Sequence, residues 1–170
     1  MTTSPNENLL DWLRDAHAME QQAEHMLKAQ AERIEHYPEL KARIEQHIEE
    51  TLGQQALLDN CIKRLGGSPS MLKDIGGKLM AFGQAMGGMA MTDEVVKGAI
   101  AGYVFENVEI ATYTVLIAAA EQAGDAETQR ACEQIIQEER AMAEWLLAHL
   151  PSVTKQFLAR SEIPDVTAKV

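Results

Sequence analysis

The sequence has few of the residues that favour sheets or disulfide frameworks. Only 5% of its 170 residues are aromatic and only two are cysteines, Cys61 and Cys132. Few aromatic residues beside abundant Ala, Leu, Glu and Gln favour helices over strands. Two cysteines so far apart in the sequence argue against a disulfide scaffold and for a reducing compartment. We expect both thiols to be buried and structural.

Positive charge is also scarce. The chain has 15 Lys and Arg residues against 26 Asp and Glu residues, a net charge of -11, which argues against binding to a phosphate backbone. The N-terminal MTTSPNENLL lacks the basic stretch and apolar run of a signal peptide, and no apolar run is long enough to span a bilayer. We therefore expect a cytoplasmic protein without nucleic-acid or membrane partners.

Apolar residues instead recur with the period of long amphipathic helices. The first helix is predicted to begin with a capping box of Ser4 and Glu7, and the second to begin at Pro38. Gly66 and the following glycine end the second helix, and Pro151 is predicted to stop the fourth. The predicted helices span about residues 5–36, 38–65, 92–123 and 125–150.

The lengths of the connections predict the topology. Short links join the first and second helices and the third and fourth, so each pair forms an antiparallel hairpin. A Gly- and Met-rich crossover, residues 66–91, joins the hairpins and is predicted to hold a short helix from Met71 to Phe82. The C-terminal tail, residues 151–170, is predicted to form one or two turns and to fray past Pro164. This pattern predicts an all-α, single-domain (1–170) four-helix bundle with ferritin-like connectivity.

Each of the four helices places at least one Glu on its apolar stripe near mid-length. A single inward carboxylate normally extends to solvent, because burying it alone is costly. Four such coincidences favour a shared centre in which cations compensate the clustered charge. Carboxylates with an imidazole suit two divalent ions, iron or manganese, better than a thiolate zinc site.

Four stretches carry a family resemblance: LRDAHAMEQQ, HIEETLGQ, ENVEIATYTVLIAAAEQAG and QEERAMAEWL. The chain from Leu9 to about Leu150 resembles the YciE/YciF family of ferritin-like bacterial stress proteins. The resemblance implies a ferritin-like bundle with a dinuclear metal site. The ligand set that it implies is Glu20, His47, Glu50, Glu106, Glu109 and Glu139.

One departure from the usual di-iron pattern concerns nitrogen ligands. The usual helix carries Glu-x-x-His, whereas here Gly53 and Met142 occupy the positions three residues after Glu50 and Glu139. The nearby imidazole, His47, precedes Glu50 by three residues, which keeps both on one helical face. The predicted site is therefore poorer in nitrogen and richer in oxygen than the usual di-iron site, which weakens the case for oxygen-activating di-iron chemistry.

Other polar residues are interpreted as ordinary. Glu49 and Glu138 are predicted to be solvated, although either could replace its neighbour as a ligand. Tyr103 and Tyr113 are expected to pack against the bundle, with hydrogen bonding to the site as the alternative. The remaining histidines are predicted to lie at the surface: His17, His25, His36 and His149.

Three functions are compatible with this sequence. The leading one is a metal-binding protein with redox chemistry on peroxide or dioxygen; the alternative is a non-enzymatic stress-response bundle with a vestigial or structural metal site. A storage cage is least favoured, because nothing in the sequence specifies a shell. We further expect a homodimer, with the apolar segment from Met71 to Met91 as its interface.

Overall fold

The computed structural model describes residues 4–68 and 92–168. The described residues form four long α-helices and no strand, which confirms the predicted fold class. The helices are α1 (Pro5–Arg33), α2 (Pro38–Arg64), α3 (Glu94–Ala123) and α4 (Ala126–Ser161). The predicted short helix at Met71–Phe82 lies outside the described residues.

The first helix begins as the sequence predicts. The Ser4 hydroxyl accepts a hydrogen bond from the backbone of Glu7, and the Glu7 carboxylate accepts one from the backbone N–H of Ser4. Two amides that the helix leaves unpaired are thereby satisfied. Helix α1 ends at Arg33 instead of at about residue 36, and Ile34 is already extended, with φ −77° and ψ 116°.

Left-handed glycines end two of the helices. Gly66 follows α2 with φ 77°, and Gly124 separates α3 from α4 with φ 71°. A side chain disfavours this conformation, so glycine is the residue that allows the chain to turn here without strain. The turn at Gly124 is short, and α3 and α4 consequently form an antiparallel hairpin.

The prediction that Pro151 ends the fourth helix is wrong, because α4 continues through it to Ser161. Proline removes one backbone donor, whose acceptor would be the carbonyl of Leu147. The side chain of Leu147 is 53% exposed, so this turn faces solvent and water can bond to the carbonyl. Beyond the proline, Val153 is buried and Phe157 packs against the core, and this packing outweighs the lost hydrogen bond.

The C-terminal tail is fixed to the bundle as far as Ala168, which contradicts the predicted fraying past Pro164. The hydroxyl of buried Tyr37 donates a 2.6 Å hydrogen bond to the carbonyl of Ala168. Arg160 donates to the carbonyl of Thr167 over 3.0 Å. The extension of α4 and its tail therefore close one end of the bundle at the start of α2.

Helix α1 packs on α2 and α3, and α4 packs on α3 and α2. The core between them consists of two separate apolar clusters. One contains Leu9, Leu13, Ala16, Met19, Ala23, Leu58, Cys61, Ile62, Phe105, Tyr113, Leu116, Ala120, Cys132, Ile135 and Ile136. The other contains Leu27, Ala31, Ile34, Tyr37, Leu40, Ile44, Ile48, Val95, Met142, Leu146 and Val153. Along α2 and α4, the buried polar residues Thr51, Gln54 and Glu139 lie between the two clusters.

Neither α1–α4 nor any other part of the described ranges combines the length and hydrophobicity that a membrane-spanning helix requires.

Candidate metal centre

A buried layer of polar side chains lies at mid-height, between the two apolar clusters. Five of the six predicted ligands are at most 2% exposed, and the sixth, Glu50, is half-buried. The five buried side chains are Glu20, His47, Glu106, Glu109 and Glu139. Such burial requires strong compensation, because carboxylates are costly to remove from water.

Four of these residues approach one another closely enough to hold one ion. His47, Glu106, Glu109 and Glu139 each offer a ligand atom, and these four atoms lie within 4.8 Å of one another. The Nε2 atom of His47 lies 3.2 Å from a carboxylate oxygen of Glu106 and 3.4 Å from one of Glu139. The cluster draws on three helices, α2, α3 and α4.

Three carboxylate oxygens of this cluster are buried and make no hydrogen bond: both oxygens of Glu109 and Oε1 of Glu139. Oε2 of Glu106 and Oε2 of Glu139 are buried as well, and both face Nε2 of His47. An unsatisfied buried polar atom costs about 1–3 kcal/mol, and such groups are rare in folded proteins. Cations satisfy oxygens of this kind, so the chemistry of the donor set fits a divalent metal.

Glu50 lies on the far side of the His47 ring from the cluster. Its Oε2 is 2.7 Å from Nδ1 of His47 and 3.2 Å from the guanidinium of Arg43, which is itself buried. A carboxylate can only accept, so Nδ1 carries the proton and Nε2 faces the other carboxylates. A carboxylate that orients a ligating imidazole in this way is a common support of metal sites.

The charges around His47 stabilise its protonated form. Burial alone lowers the pKa of His47, but the neighbouring carboxylates Glu106, Glu139 and Glu50 outweigh burial and raise it to about 12. Burial raises the pKa of Glu50, yet His47 and Arg43 outweigh it and lower that pKa to about 2. In the metal-free protein the His47 cation therefore compensates part of the buried negative charge.

Burial has the opposite effect on the carboxylates of α3. It raises the pKa of Glu106 to about 8, although His47 acts against the increase. The pKa of Glu109 is raised well above its ordinary value, first by burial and then by the charges of Glu139 and Glu20. Both carboxylates would lose their protons on binding a metal, because a ligand carboxylate is ionised.

Glu20 and Tyr113 form a pair beside the cluster. The Tyr113 hydroxyl donates a 2.5 Å hydrogen bond to Oε1 of Glu20, and both side chains are buried. Tyr113 therefore hydrogen-bonds to the site, in addition to the packing that the sequence predicted. Tyr113 lies four residues after Glu109, on the same helical stripe as Glu106 and Glu109. This spacing is the sequence signal that supports its role beside the site. Burial and the neighbouring charges of Glu139 raise the pKa of Glu20 well above its ordinary value.

Three sequence interpretations change in the structure. Glu138 is half-buried and not fully solvated, and its Oε2 accepts a 2.9 Å hydrogen bond from Gln54. His17 is buried and not at the surface, and its Nδ1 has no hydrogen-bond partner. His149 is half-buried and stacks on Trp145, with ring centroids 3.8 Å apart. These differences depend on which way a side chain turns at the edge of a stripe, which periodicity does not determine.

The bundle and its buried layer together define the class of protein. Two antiparallel helical hairpins carrying one imidazole and several carboxylates at mid-height make this a ferritin-like bundle, and the cluster indicates that it binds metal. The chain belongs to the family described as a domain of unknown function, DUF892, which matches residues 4–159. The resemblance to the YciE/YciF family is thereby confirmed.

Solved structures agree on the fold. A protein from Xanthomonas campestris pv. campestris is 45% identical, with a TM-score of 0.80 over 94% of this chain and 100% of that one. The Escherichia coli stress protein YciF is 19% identical, with a TM-score of 0.78 over 88% of this chain and 96% of that one. A ferritin-like, diiron-carboxylate protein from Bacillus anthracis is 20% identical, with a TM-score of 0.72 over 88% of this chain and 99% of that one.

Proposed function

We propose that the protein binds two divalent metal ions, iron or manganese, and uses them in redox chemistry on peroxide or dioxygen. The observation that supports this most directly is the set of three buried carboxylate oxygens without a hydrogen bond, two of Glu109 and one of Glu139. Two metals per chain would satisfy these oxygens and cancel most of the buried charge. The ligands we propose are Glu20, His47, Glu106, Glu109 and Glu139.

Glu50 takes a different role in this proposal from the ligand that the sequence predicted. Its contact with Nδ1 of His47 holds the ring so that Nε2 faces Glu106 and Glu139. Arg43 holds Glu50 in turn, and Gln46 donates a 2.8 Å hydrogen bond to its other oxygen. The metal pair supplies the capacity to exchange electrons with an oxidant, while these side chains fix the geometry.

The alternative is a non-enzymatic bundle in which metal holds the helices together. The full burial of His47, Glu106, Glu109 and Glu139 favours it, because a substrate must reach a centre that is at most 2% exposed. The two functions separate by one assay. Oxidation of the iron-loaded protein by peroxide should be faster than that of free iron at equal concentration if the centre is redox-active, and no faster if it is structural.

Metal content tests both forms of the proposal. Elemental analysis of protein purified from its native host without chelators should give two iron or manganese ions per chain. Glu139→Gln should lower that content, because an amide is a much weaker ligand for a hard cation. Glu144→Gln, an exposed position on the same helix, should not. Wild-type protein without stoichiometric metal would contradict the proposal.

We also propose that the chain associates with a second copy of itself, most simply as a dimer, through the outer face of α3. Between Gly98 and Ala120 the charged residues of this helix are Glu106 and Glu109, and both are buried. The outward face is therefore uncharged. It carries the exposed apolar side chains Ile100, Val104, Val108 and Val115.

A second copy can occupy this face without charge repulsion at the contact. Each chain has a net charge of -11, so two copies repel one another wherever charged surfaces meet. The outer face of α3 lets them approach without placing like charges in contact, and it buries apolar surface that a monomer leaves in water. The interface predicted from the sequence, Met71 to Met91, lies outside the described residues.

Light scattering on a sizing column tests this association. The wild type should elute with the mass of two chains, and the double variant Val104→Glu with Val108→Glu should elute as one chain. Leu158→Glu adds a charge at an exposed apolar position on α4 and should leave the mass unchanged. A wild-type monomer at micromolar concentration would contradict the proposal.

A further inference from the structure

An ion that reaches the centre must pass between helices, because the four clustered residues are buried. The outer face of α3 is uncharged, so it offers no carboxylate to attract a cation. The boundary between α2 and α4 is different. It brings together a half-exposed carboxylate, Glu138, and a fully buried amide, Gln54.

The amide of Gln54 is oriented by this contact. Its Nε2 donates a 2.9 Å hydrogen bond to Oε2 of Glu138, and an ionised carboxylate can only accept, so the nitrogen must face it. The amide oxygen of Gln54 is buried and has no hydrogen-bond partner. A buried amide oxygen is a hard neutral donor of the kind that divalent cations bind.

The chain places these two residues next to the centre. Glu138 directly precedes Glu139 on α4, and Gln54 lies on α2 two helical turns after His47, on the same stripe. Glu50 lies four residues before Gln54 on α2, is half-buried like Glu138, and contacts Nδ1 of His47.

We propose that Glu138 and Gln54 form a transient binding site through which divalent cations pass between solvent and the buried centre. Glu138 captures the hydrated ion, and the unpaired oxygen of Gln54 replaces water as the ion moves inwards. This inference rests on the proposed function, since it presupposes that the centre binds metal. It assigns a function to a carboxylate and an amide outside the ligand set.

The rate of metal uptake tests the proposal separately from metal content. Metal-free protein is mixed with Co²⁺ in a stopped-flow instrument, and loading is followed by the visible absorbance of the bound ion. Glu138→Gln keeps a side chain that can pair with Gln54 and removes only the charge. We expect it to load about tenfold more slowly, the lower end of the effect of local charge on association rates, with unchanged final stoichiometry.

A second variant and a control complete the experiment. Gln54→Leu, which removes the amide oxygen and keeps the volume, should also slow loading without lowering the final content. Glu144→Gln removes the same charge from an exposed position of α4 and should load like the wild type. The slowing caused by Glu138→Gln should shrink at high salt, because screening weakens the attraction of an exposed charge.

Two outcomes would overturn the transit site while leaving the proposed function intact. Loading of Glu138→Gln at the rate of Glu144→Gln would show that this boundary is not the path. A lower final stoichiometry in Glu138→Gln would show that Glu138 is a permanent ligand. If the wild type binds none of Co²⁺, Fe²⁺ and Mn²⁺, the proposed function fails first, and the transit site fails with it.

Discussion

The metal-free protein should lose stability as pH rises towards neutrality, and Glu106 should be a main cause. Burial raises the pKa of Glu106 from 4.5 to about 8. Between these values the folded protein holds a proton that the unfolded chain releases, so the folded state binds more protons. Its contribution to stability is full below pH 4.5 and is lost as pH rises through 8. At about 1.4 kcal/mol per pH unit, the loss reaches about 3 kcal/mol at pH 7.

The substitution Glu106→Gln removes this titration and keeps the size of the side chain. Chemical unfolding of metal-free protein, followed by helical circular dichroism at pH 5 and pH 7, should show a fall that is about 3 kcal/mol larger for the wild type than for the variant. Burial also raises the pKa values of Glu20 and Glu109 well above their ordinary range, so both proteins keep the fall that these two carboxylates cause. The pKa of His47, raised from 6.5 to about 12, acts in the same direction above pH 6.5 and persists in the variant through Glu139 and Glu50.

Glu144→Gln, an exposed residue on α4, should keep the wild-type dependence on pH. Bound metal should reverse the dependence for the wild type, because protons and metal compete for the same oxygens. A metal-free wild type that gains stability from pH 5 to pH 7, or a Glu106→Gln variant with the wild-type slope, would refute the reasoning.

Three further predictions concern the support of the site and of the fold. Glu50→Gln should weaken metal binding about 10- to 100-fold in competition with a chelator, because His47 loses its orienting carboxylate; unchanged affinity would remove that role. Tyr113→Phe leaves Glu20 without its donor and should destabilise the metal-free protein by about 1–3 kcal/mol in urea unfolding; unchanged stability would contradict this. Gly124→Ala should lower the free energy of unfolding by about 1–2 kcal/mol through backbone strain alone, since no atom lies within 4 Å of the added Cβ; an equally stable variant would show that the turn relaxes.

The sequence predicted the four-helix bundle because its information is periodic. Apolar residues recur every three or four positions, and Glu20, Glu106 and Glu139 interrupt that pattern at positions that can only face inwards. The same reasoning placed Glu50 inside, where the structure half-buries it. Glu50 shares a helical face with His47, but its position at the edge of the stripe lets the carboxylate turn towards Arg43.

Helix ends were predicted less well. The sequence signals for a helix end are local, whereas the packing that decides where a helix ends involves residues far away in the sequence. Pro151 is a strong local signal for termination. It is outweighed by Val153 and Phe157, whose partners around Tyr37 lie more than 100 residues earlier in the sequence. No pattern around position 151 contains that contact. The same limit applies to the bond between Tyr37 and Ala168.

The position of the centre between two apolar clusters decides how these experiments can be interpreted. Each cluster draws on all four helices, so helix packing above and below the polar layer does not depend on the carboxylates. Burial of apolar side chains, at about 25 cal/mol per Å² of surface removed from water, can hold the metal-free bundle together against the repulsion within the layer. The carboxylates are then fixed near one another before a metal arrives. A substitution such as Glu106→Gln should therefore change metal affinity and the pH dependence of stability while leaving the fold intact. Loss of helical content in that variant at pH 5, where the repulsion is weakest, would show that the layer and the packing are not independent.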